Sequence, residues 1–208
     1  MKGSFIVIEG IDGSGKGSVI AEVNNLLLSR GTPEKRIILT AEPTGGFYGK
    51  KVRELLKSSA DPDPFARNFL SLYVADRKEH IEKVIMPSLK ERKIILCDRY
   101  KYSTFVYQRL QGIPLEEISS LHKSLPVPDL VFILDVPVEV ALERISGDRK
   151  RKYTESFEKK EFLEKVRSEF LNLGKIFPAE EIIVVDSSRP LEDVSREIIL
   201  AIKKRVRL

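Results

Sequence analysis

The chain has 208 residues, of which 42% are hydrophobic and 32% are charged, and its formal net charge is +5. This balance excludes disordered and fibrous proteins, and no apolar run approaches the roughly 20 residues of a membrane span. The chain enters a strand-like run almost at once, which leaves no room for a signal peptide, so we expect a cytoplasmic protein with a single domain over residues 1–208. The positive charge suits nucleic acid, an acidic membrane surface or a small phosphorylated substrate, and does not choose among them.

Five short apolar runs rich in Ile, Val and Leu alternate with longer segments of helical periodicity. This alternation predicts an α/β fold, in which helices cover a parallel sheet. The runs are continuously apolar, as expected for strands that are buried on both faces of a sheet. We therefore predict a three-layer α/β/α arrangement with a five-stranded parallel sheet, its strands at residues 5–8, 37–41, 94–97, 130–134 and 182–185.

A glycine-rich segment, EGIDGSGKGS, lies between the first run and the first helical segment. Gly10, Gly15 and Lys16 have the spacing of a phosphate-binding loop, and a strand before it and a helix after it are the setting that this motif requires. Glycines allow backbone angles that turn N–H groups toward a phosphate, and the helix N-terminus adds a positive partial charge. We expect a P-loop NTPase fold in which Lys16 bridges the outer phosphates of ATP. The predicted ATP contacts in this loop are Gly10, Ile11, Asp12, Gly13, Ser14, Gly15, Lys16, Gly17 and Ser18.

The loop departs from the standard motif at Gly17, where a Ser or Thr would give its hydroxyl to magnesium. Ser18 cannot simply take over that contact, because one residue turns a helix by about 100°. A lost nucleotide site would explain the change, yet nothing else in the loop looks degraded. Gly-Lys-Gly followed by Ser or Thr resembles the loop of adenylate kinases, in which magnesium is held largely through water and the substrate phosphates. The loop is therefore predicted to belong to a nucleoside monophosphate kinase.

An Asp-Arg pair closes the third apolar run. In an open α/β sheet, ligands bind at the carboxyl ends of the strands, which places Asp98 and Arg99 at the predicted site. Arg99 can neutralise an anion, and the Asp98 carboxylate can hold hydrated Mg²⁺, the expected cofactor. A solvent-exposed ion pair is the alternative.

Four separated motifs point to one family. They are EGIDGSGKGS, AEPTGG after the second run, LYVADRKEH on a central helix and DRYKYSTFVYQ after the third run. Two later segments, PDLVFILDVPVEVALERI and VDSSRPLEDV, also fit. In this combination, which covers nearly the whole chain, the sequence resembles the thymidylate kinases, which transfer a phosphoryl group from ATP to dTMP. The resemblance implies Mg²⁺-assisted in-line transfer, ATP and dTMP as partners, commonly a homodimer, and no stable nucleic acid or membrane partner.

The resemblance assigns three residues to the phosphate and sugar of the acceptor. It places Asp12 near the sugar hydroxyl or the phosphate, and Arg53 and Arg99 on the phosphate. Taken alone, Arg53 followed by Glu54 would be typical of a solvated helix face. Ala41 is a departure, because many members have an arginine there that contributes to the phosphate site. One anion contact is thus missing or supplied from elsewhere, which would allow relaxed use of other monophosphates.

The same resemblance assigns four residues to the base of the acceptor. Tyr73 would stack on the base, Arg77 would hydrogen-bond a base carbonyl, Gln108 would read the base edge, and Ser103 would belong to the same wall. Tyr73 and Arg77 are four residues apart, so one helix face can bring both to one planar base. Taken alone, Tyr73 would more often be a core residue. Because stacking discriminates little between bases, selectivity would come from the hydrogen-bonding groups.

A strongly basic segment at residues 147–157 is predicted to be a lid over the phosphates, although a solvated loop is the simpler alternative. Members of the family supply a catalytic arginine either from the phosphate loop or from the lid. Gly13 occupies the loop position, so we expect the lid type, with Arg149 or Arg151 acting on the γ-phosphate. Arg144 resembles the arginine that stacks on adenine, and a surface ion pair with a neighbour is the alternative. The remaining predicted catalytic residues are Lys16, Asp12, Asp98 and Arg99.

His80 and His122 have no ligand partner at metal spacing, and Cys97 lies in an apolar run, so we predict all three to be structural. Two other functions remain open. A kinase of the same fold could act on another nucleotide or on a nucleoside, although a nucleoside would not need Arg53 and Arg99. A P-loop ATPase module could bind nucleic acid on its basic surface, and nucleic acid would then stimulate its ATP hydrolysis.

Overall fold

The computed structural model describes residues 3–58, 63–147 and 160–205. Five strands form one sheet in the order β2-β3-β1-β4-β5, and each adjacent pair is parallel. Helices flank this sheet, so the predicted three-layer α/β/α fold with a five-stranded parallel sheet is confirmed. The strands are β1 (Ser4–Glu9), β2 (Ile37–Ala41), β3 (Ile94–Asp98), β4 (Leu130–Asp135) and β5 (Ile182–Asp186).

The helices of the described ranges are α1 (Lys16–Ser29), α2 (Phe47–Ser58), α3 (Ala66–His80), α4 (Met86–Lys90), α5 (Lys101–Leu110), α6 (Leu115–His122), α7 (Val138–Gly147), α8 (Lys160–Leu171), α9 (Leu173–Ile176) and α10 (Leu191–Arg205). A short π-helical segment, Ile81–Ile85, joins α3 to α4. The end of α1 shows how sequence sets a boundary: Gly31 has a φ of 87°, and its N–H donates to the Leu28 carbonyl at 2.9 Å. A glycine in this conformation satisfies a helix-end carbonyl. None of the described helices is both long and apolar enough to cross a membrane.

The hydrophobic core lies on both faces of the sheet. Along β1, Phe5 and Val7 pack in one cluster with α3, α5 and α8, whereas Ile6 and Ile8 pack in another with α1 and α10. Successive side chains of a strand point to opposite faces, so two buried faces require a continuous apolar run. Cys97 of β3 belongs to the first cluster, and burial raises the pKa of its thiol. It is a buried hydrophobic residue, as predicted.

The order of the strands positions the site. β1 lies in the centre of the sheet, with β3 and β2 on one side and β4 and β5 on the other. Where the strand order reverses in this way, the connections diverge and leave a crevice outside the carboxyl ends of the strands. The loops that follow β1, β2 and β3 all open into that crevice.

Candidate active site

The loop between β1 and α1 depends on glycine at three positions. Gly10, Gly13 and Gly15 have φ values of 144°, 78° and 90°, which L side chains rarely adopt. A Cβ on Gly13 would lie 2.3 Å from the carbonyl oxygen of Ala141 on α7. Since α7 packs this closely on the loop, position 13 cannot accept an arginine without moving the backbone.

Lys16 folds back over the loop. Its Nζ donates to the carbonyls of Gly10 at 3.1 Å and Ile11 at 3.0 Å, and lies 4.0 Å from the Asp12 carboxylate. Burial, followed by the charge of Arg99, lowers the pKa of the Lys16 ammonium. Gly10 and Ile11 are buried and contact the lysine through their carbonyls, so they support the Lys16 side chain from the buried side of the loop.

A cavity of about 710 Å³, the donor cavity, opens above this loop. Arg144 lines it and donates from Nη2 to the Ser187 carbonyl at 3.0 Å, which holds this arginine against the loop after β5. Arg149 and Arg151 lie outside the described residues, as does the predicted lid from residue 148 onward. The predicted ATP contacts that line the cavity are Asp12, Gly13, Ser14, Gly15, Lys16, Gly17, Ser18 and Arg144.

Asp98 ends β3 and also lines the donor cavity. Its Oδ1 is buried and has no hydrogen-bond partner within the described ranges. A buried carboxylate oxygen without a partner fits a ligand that enters from the cavity, such as hydrated Mg²⁺. Among the residues that the structure describes, no group of three or more His, Cys, Asp or Glu could hold a metal.

Arg99 connects the phosphate loop to α5. Its Nη2 donates to Asp12 Oδ1 at 2.6 Å, and its Nη1 donates to Ser103 Oγ at 2.9 Å. Its side chain is only 16% exposed, so it is not the solvated ion-pair partner considered as the alternative. Its φ of 67° lies in the left-handed region, a strained conformation that is common at functional sites.

Glu9 is a residue of this site that sequence reasoning missed. It is fully buried at the end of β1 and accepts the N–H groups of Tyr100 at 2.8 Å and Ser103 at 3.2 Å. It also accepts the Ser103 hydroxyl at 2.7 Å. Burial raises the pKa of the Glu9 carboxyl. Glu9 thus caps the N-terminus of α5 and fixes the hydroxyl that holds Arg99. An acidic residue at the end of an otherwise apolar strand was the available signal.

A second cavity of about 250 Å³, the acceptor cavity, adjoins the first. Its walls come from the phosphate loop, the loop after β2, α2, α3 and the segment that leads into α5. The residues that the family resemblance assigns to the acceptor all line it, namely Asp12, Arg53, Tyr73, Arg77, Arg99, Ser103 and Gln108. Residues that were not predicted also line it, namely Glu42, Pro43, Leu56, Lys57, Tyr100, Thr104 and Tyr107.

Arg77 of α3 lies at the inner end of the acceptor cavity and is 1% exposed. Its Nε donates to Glu42 Oε2 at 2.7 Å. Its Nη2 donates to the Tyr100 carbonyl at 3.0 Å and to Thr104 Oγ1 at 3.1 Å. Its Nη1 lies 2.7 Å from His122 Nε2. The guanidinium is therefore held by the loop after β2, by the start of α5 and by the end of α6.

Glu42 is fixed in turn by His80. The Nδ1 of His80 lies 2.9 Å from Glu42 Oε1, and its Nε2 lies 2.7 Å from Thr40 Oγ1. Because a carboxylate can only accept, Nδ1 carries a proton and donates it to Glu42. Both histidines thus belong to the network around Arg77. Sequence reasoning could not find this, since Glu42 and His80 are 38 positions apart and Arg77 and His122 are 45 apart.

Arg53 lies at the mouth of both cavities. Its guanidinium donates to the carbonyls of Pro43 and Thr44. Asp76, which is buried on α3, fixes the same loop by accepting the N–H and the hydroxyl of Thr44 at 2.7 and 2.5 Å. Arg53 is exposed but anchored, so it differs from a freely solvated side chain. Ala41 lines the donor cavity next to this loop.

Tyr73 and Gln108 line the acceptor cavity from two helices, α3 and α5. The Tyr73 ring stacks on Phe69, with centroids 6.3 Å apart and an interplanar angle of 28°. Gln108 is 1% exposed, and its Nε2 donates to Gln111 Oε1 at 3.0 Å. Gln111 engages one hydrogen of the Gln108 amide nitrogen, so the other hydrogen and the carbonyl oxygen are left for a ligand.

The chain is similar to known proteins along nearly its whole length. The family model described as thymidylate kinase matches residues 8–198. A thymidylate kinase from Desulfotalea psychrophila is 39% identical over 207 residues, which cover 99% of this chain and 97% of that protein. A thymidylate kinase from Brachyspira hyodysenteriae is 40% identical, covering 98% and 95%, and a probable thymidylate kinase from Pyrococcus horikoshii is 35% identical, covering 98% and 97%. The resemblance seen in the sequence motifs is confirmed: the chain belongs to the thymidylate kinase family.

Proposed function

We propose that the chain phosphorylates dTMP with ATP and releases dTDP and ADP. The observation that carries this proposal is the junction of the two cavities, because Asp12, Arg53 and Arg99 line both. A γ-phosphate held at the loop and an acceptor phosphate held by these arginines would lie side by side. Direct transfer requires that arrangement, since the protein contributes mainly positioning and positive charge.

On the donor side, the loop N–H groups and Lys16 hold the ATP phosphates. The two carbonyls that Lys16 now contacts keep its ammonium over the loop, so ATP meets a charge that is already in place. The adenine would lie against Arg144 and the loop after β5, whose Ser187 and Arg189 also line the donor cavity.

On the acceptor side, Arg99 and Arg53 bind the dTMP phosphate. The ion pair between Arg99 and Asp12 supports this assignment, because an incoming phosphate can take the place of the carboxylate on Arg99. Asp12 would then turn to the sugar hydroxyl. Tyr73 stacks on the base, and Arg77 and Gln108 read its edge.

Asp98 would hold Mg²⁺ through water, and bound magnesium would neutralise charge that develops between the β- and γ-phosphates. The unpartnered Oδ1 of Asp98 in the donor cavity supports this assignment. Asp98 also accepts the Glu42 N–H through its backbone carbonyl at 2.9 Å, which fixes the end of β3 against the loop after β2.

Arg149 and Arg151 are proposed as lid cations that close over the γ-phosphate and exclude water. The geometry at Gly13 supports this idea, because the loop has no space for an arginine at that position. Closure would limit hydrolysis of ATP when no acceptor is bound.

Ala41 supports a second, broader proposal, in which other nucleoside monophosphates are also accepted. It lines the donor cavity near Arg53 and Arg99, where an arginine would add a third cation. With one cation fewer, phosphate binding contributes less to the choice of acceptor, and the base contacts must supply more of it.

The test incubates the protein and Mg-ATP with each of a panel of deoxy- and ribonucleoside monophosphates and measures the formation of ADP. We expect the largest kcat/KM with dTMP and little ADP without an acceptor. No rate above background with dTMP, with turnover of another base, would overturn the thymine assignment. ADP formation that needs nucleic acid instead of a monophosphate would favour the ATPase alternative. The homodimer that the family resemblance predicts can be checked on the same sample by light scattering.

A further inference from the structure

The hydrogen bonds of the buried Arg77 guanidinium can be counted. A guanidinium has five N–H donors and no acceptor. The Nε hydrogen goes to Glu42, and both Nη2 hydrogens are taken, by the Tyr100 carbonyl and by Thr104 Oγ1. One Nη1 hydrogen goes to His122 Nε2. Within the described ranges, a single Nη1 hydrogen is therefore left for the acceptor cavity that Arg77 lines.

The direction of the bond between Arg77 and His122 follows from the other ring nitrogen. His122 Nδ1 lies 2.6 Å from the Ile118 carbonyl, one turn earlier on α6. A carbonyl can only accept, so the proton of the neutral ring is on Nδ1, and Nε2 presents a lone pair to Arg77. Burial, followed by the charge of Arg77, lowers the pKa of His122 to about 4, which keeps the ring neutral near pH 7.

The orientation of the Arg77 guanidinium depends on His122. Without the Nε2 lone pair, both Nη1 hydrogens would lack a partner in a buried site, and the group would gain by turning to share the remaining acceptors. Glu42 does not hold the Nη1 group, because it accepts from Arg77 through Nε on Oε2, and its Oε1 is paired with His80. His122 is thus the acceptor that determines which Nη1 hydrogen faces the cavity.

We propose that His122 is a positioning residue for base selection: it binds one Nη1 hydrogen of Arg77 so that the other is presented to an acceptor oxygen on the base. Thymine and uracil carry a carbonyl oxygen at position 4, whereas cytosine carries an amino group that donates. An arginine can only donate, so a fixed N–H directed at position 4 favours thymine and uracil and disfavours cytosine. This inference rests on the proposed function, because it concerns the base of the acceptor nucleotide.

A simpler role for His122 is to fill the core, since its ring packs edge-on against Phe105 with centroids 5.3 Å apart. The two roles differ in what a substitution changes. Loss of packing would loosen the whole cavity and lower kcat/KM for dTMP, dUMP and dCMP alike. Loss of the lone pair would change only the preference for bases with a carbonyl group over the base with an amino group.

The test measures kcat/KM for dTMP, dUMP and dCMP in wild type, His122→Leu and His122→Gln. In His122→Leu we expect the preference for dTMP over dCMP to fall about tenfold, while dTMP over dUMP and the KM for ATP change less than about twofold. His122→Gln should keep most of the preference, because its side-chain oxygen can accept from Arg77. Ile118→Val is the matched control, since Ile118 is buried on the same helix and its carbonyl is retained. It should leave both ratios unchanged.

An equal loss for all three nucleotides in folded His122→Leu would overturn the proposal and support the packing role. A wild-type enzyme that does not prefer dTMP to dCMP would instead contradict the proposed function, and the inference with it.

A measurement that needs no turnover distinguishes the positioning role of His122 from its packing role if the leucine variant does not fold. In ¹⁵N-labelled wild type, long-range ¹H–¹⁵N spectra should show His122 protonated on Nδ1 and a scalar coupling between its Nε2 and Arg77 Nη1. The opposite tautomer would remove the lone pair and overturn the positioning role, whatever the substrate proves to be.

Discussion

The donor and acceptor cavities lie side by side but are built in different ways. The donor cavity is formed mainly by consecutive residues, Gly10 to Ser18, through their backbone conformation and N–H groups. The acceptor cavity depends on side chains from several elements, and a buried network that includes Glu42, Arg77 and His122 orients them. A contiguous backbone site is recognisable as a motif, whereas a side-chain site exists only when the fold brings distant residues together.

The largest expected effect is on the donor side. Lys16→Ala should lower kcat by about a thousandfold or more with every acceptor. The substitution removes the positive charge that stabilises the transferring phosphates, and it leaves the residues that select the base unchanged. Steady-state kinetics and a circular dichroism spectrum check that activity is lost and the fold kept. Lys50→Ala is the matched control, since Lys50 is exposed on α2 and lines neither cavity. A comparable loss of activity in that variant would show that the rate depends on the overall charge of the protein and not on Lys16 in particular.

The next effect tests the buried network on the acceptor side. Arg77, Lys101 and Lys78 are the charges that oppose protonation of His122, whose pKa of about 4 lies below the ordinary 6.5. Between these values the unfolded chain binds more protons, so this group makes the folded state more stable as pH rises. The stability advantage of wild type over His122→Gln should therefore shrink by about 2 to 3 kcal/mol from pH 7 to pH 4.5. Urea unfolding at several pH values measures it, and a difference that does not vary with pH would contradict a neutral buried ring.

Two glycine substitutions then compare the loop between β1 and α1 with the first turn of α1. Gly13→Ala should lower the free energy of unfolding by about 1 to 3 kcal/mol, because its φ is 78° and its Cβ would meet the Ala141 carbonyl. Gly17→Ala should be neutral or stabilising by about 0.5 to 1 kcal/mol, because it lies in α1 with nothing within 4 Å of the new Cβ. Equal effects in a denaturation series would contradict the close packing of α7 on the loop.

A smaller change is expected from Gln108→Ala. It removes the side-chain amide that lines the acceptor cavity, so the preference among bases should weaken by about tenfold while the KM for ATP stays constant. Unaltered base selectivity in the nucleotide panel would mean that Gln108 does not read the base edge.

The smallest effect is expected from Ala41→Arg, which would add a cation beside the acceptor phosphate. We expect the KM for dTMP to fall about threefold, with base preference unchanged, because a phosphate contact does not sense the base. A rise in KM would indicate that the cavity has no space for the longer side chain.

Much of the fold could be predicted, because its signals are local. The continuous apolar runs predicted the five strands, since a strand covered on both faces has no polar side. The phosphate loop could be predicted for the same reason, as Gly10, Gly15 and Lys16 follow one another within seven positions. The acceptor residues required the family resemblance, because Arg53, Tyr73 and Gln108 have ordinary interpretations when each is taken alone.

The residues that sequence reasoning missed are those that act through others. Glu9 holds Ser103 from 94 positions away. His122 holds Arg77 across 45 positions, and nothing in a lone histidine on an amphipathic helix predicts that partner. Hydrogen bonds at such separations depend on how α3, α5 and α6 pack, and packing is not a local property of the sequence.

The sequence by itself determined the parallel sheet, the phosphate loop and the family, because each depends on the order and spacing of neighbouring residues. The tertiary structure decided that α7 excludes a side chain at Gly13. Within the residues that it describes, it also decided that Asp98 keeps an unpartnered oxygen and that Arg77 keeps one Nη1 hydrogen without a partner. Those properties depend on distances of a few ångströms between elements that are far apart in the chain, and only the folded packing of the helices on the sheet sets such distances.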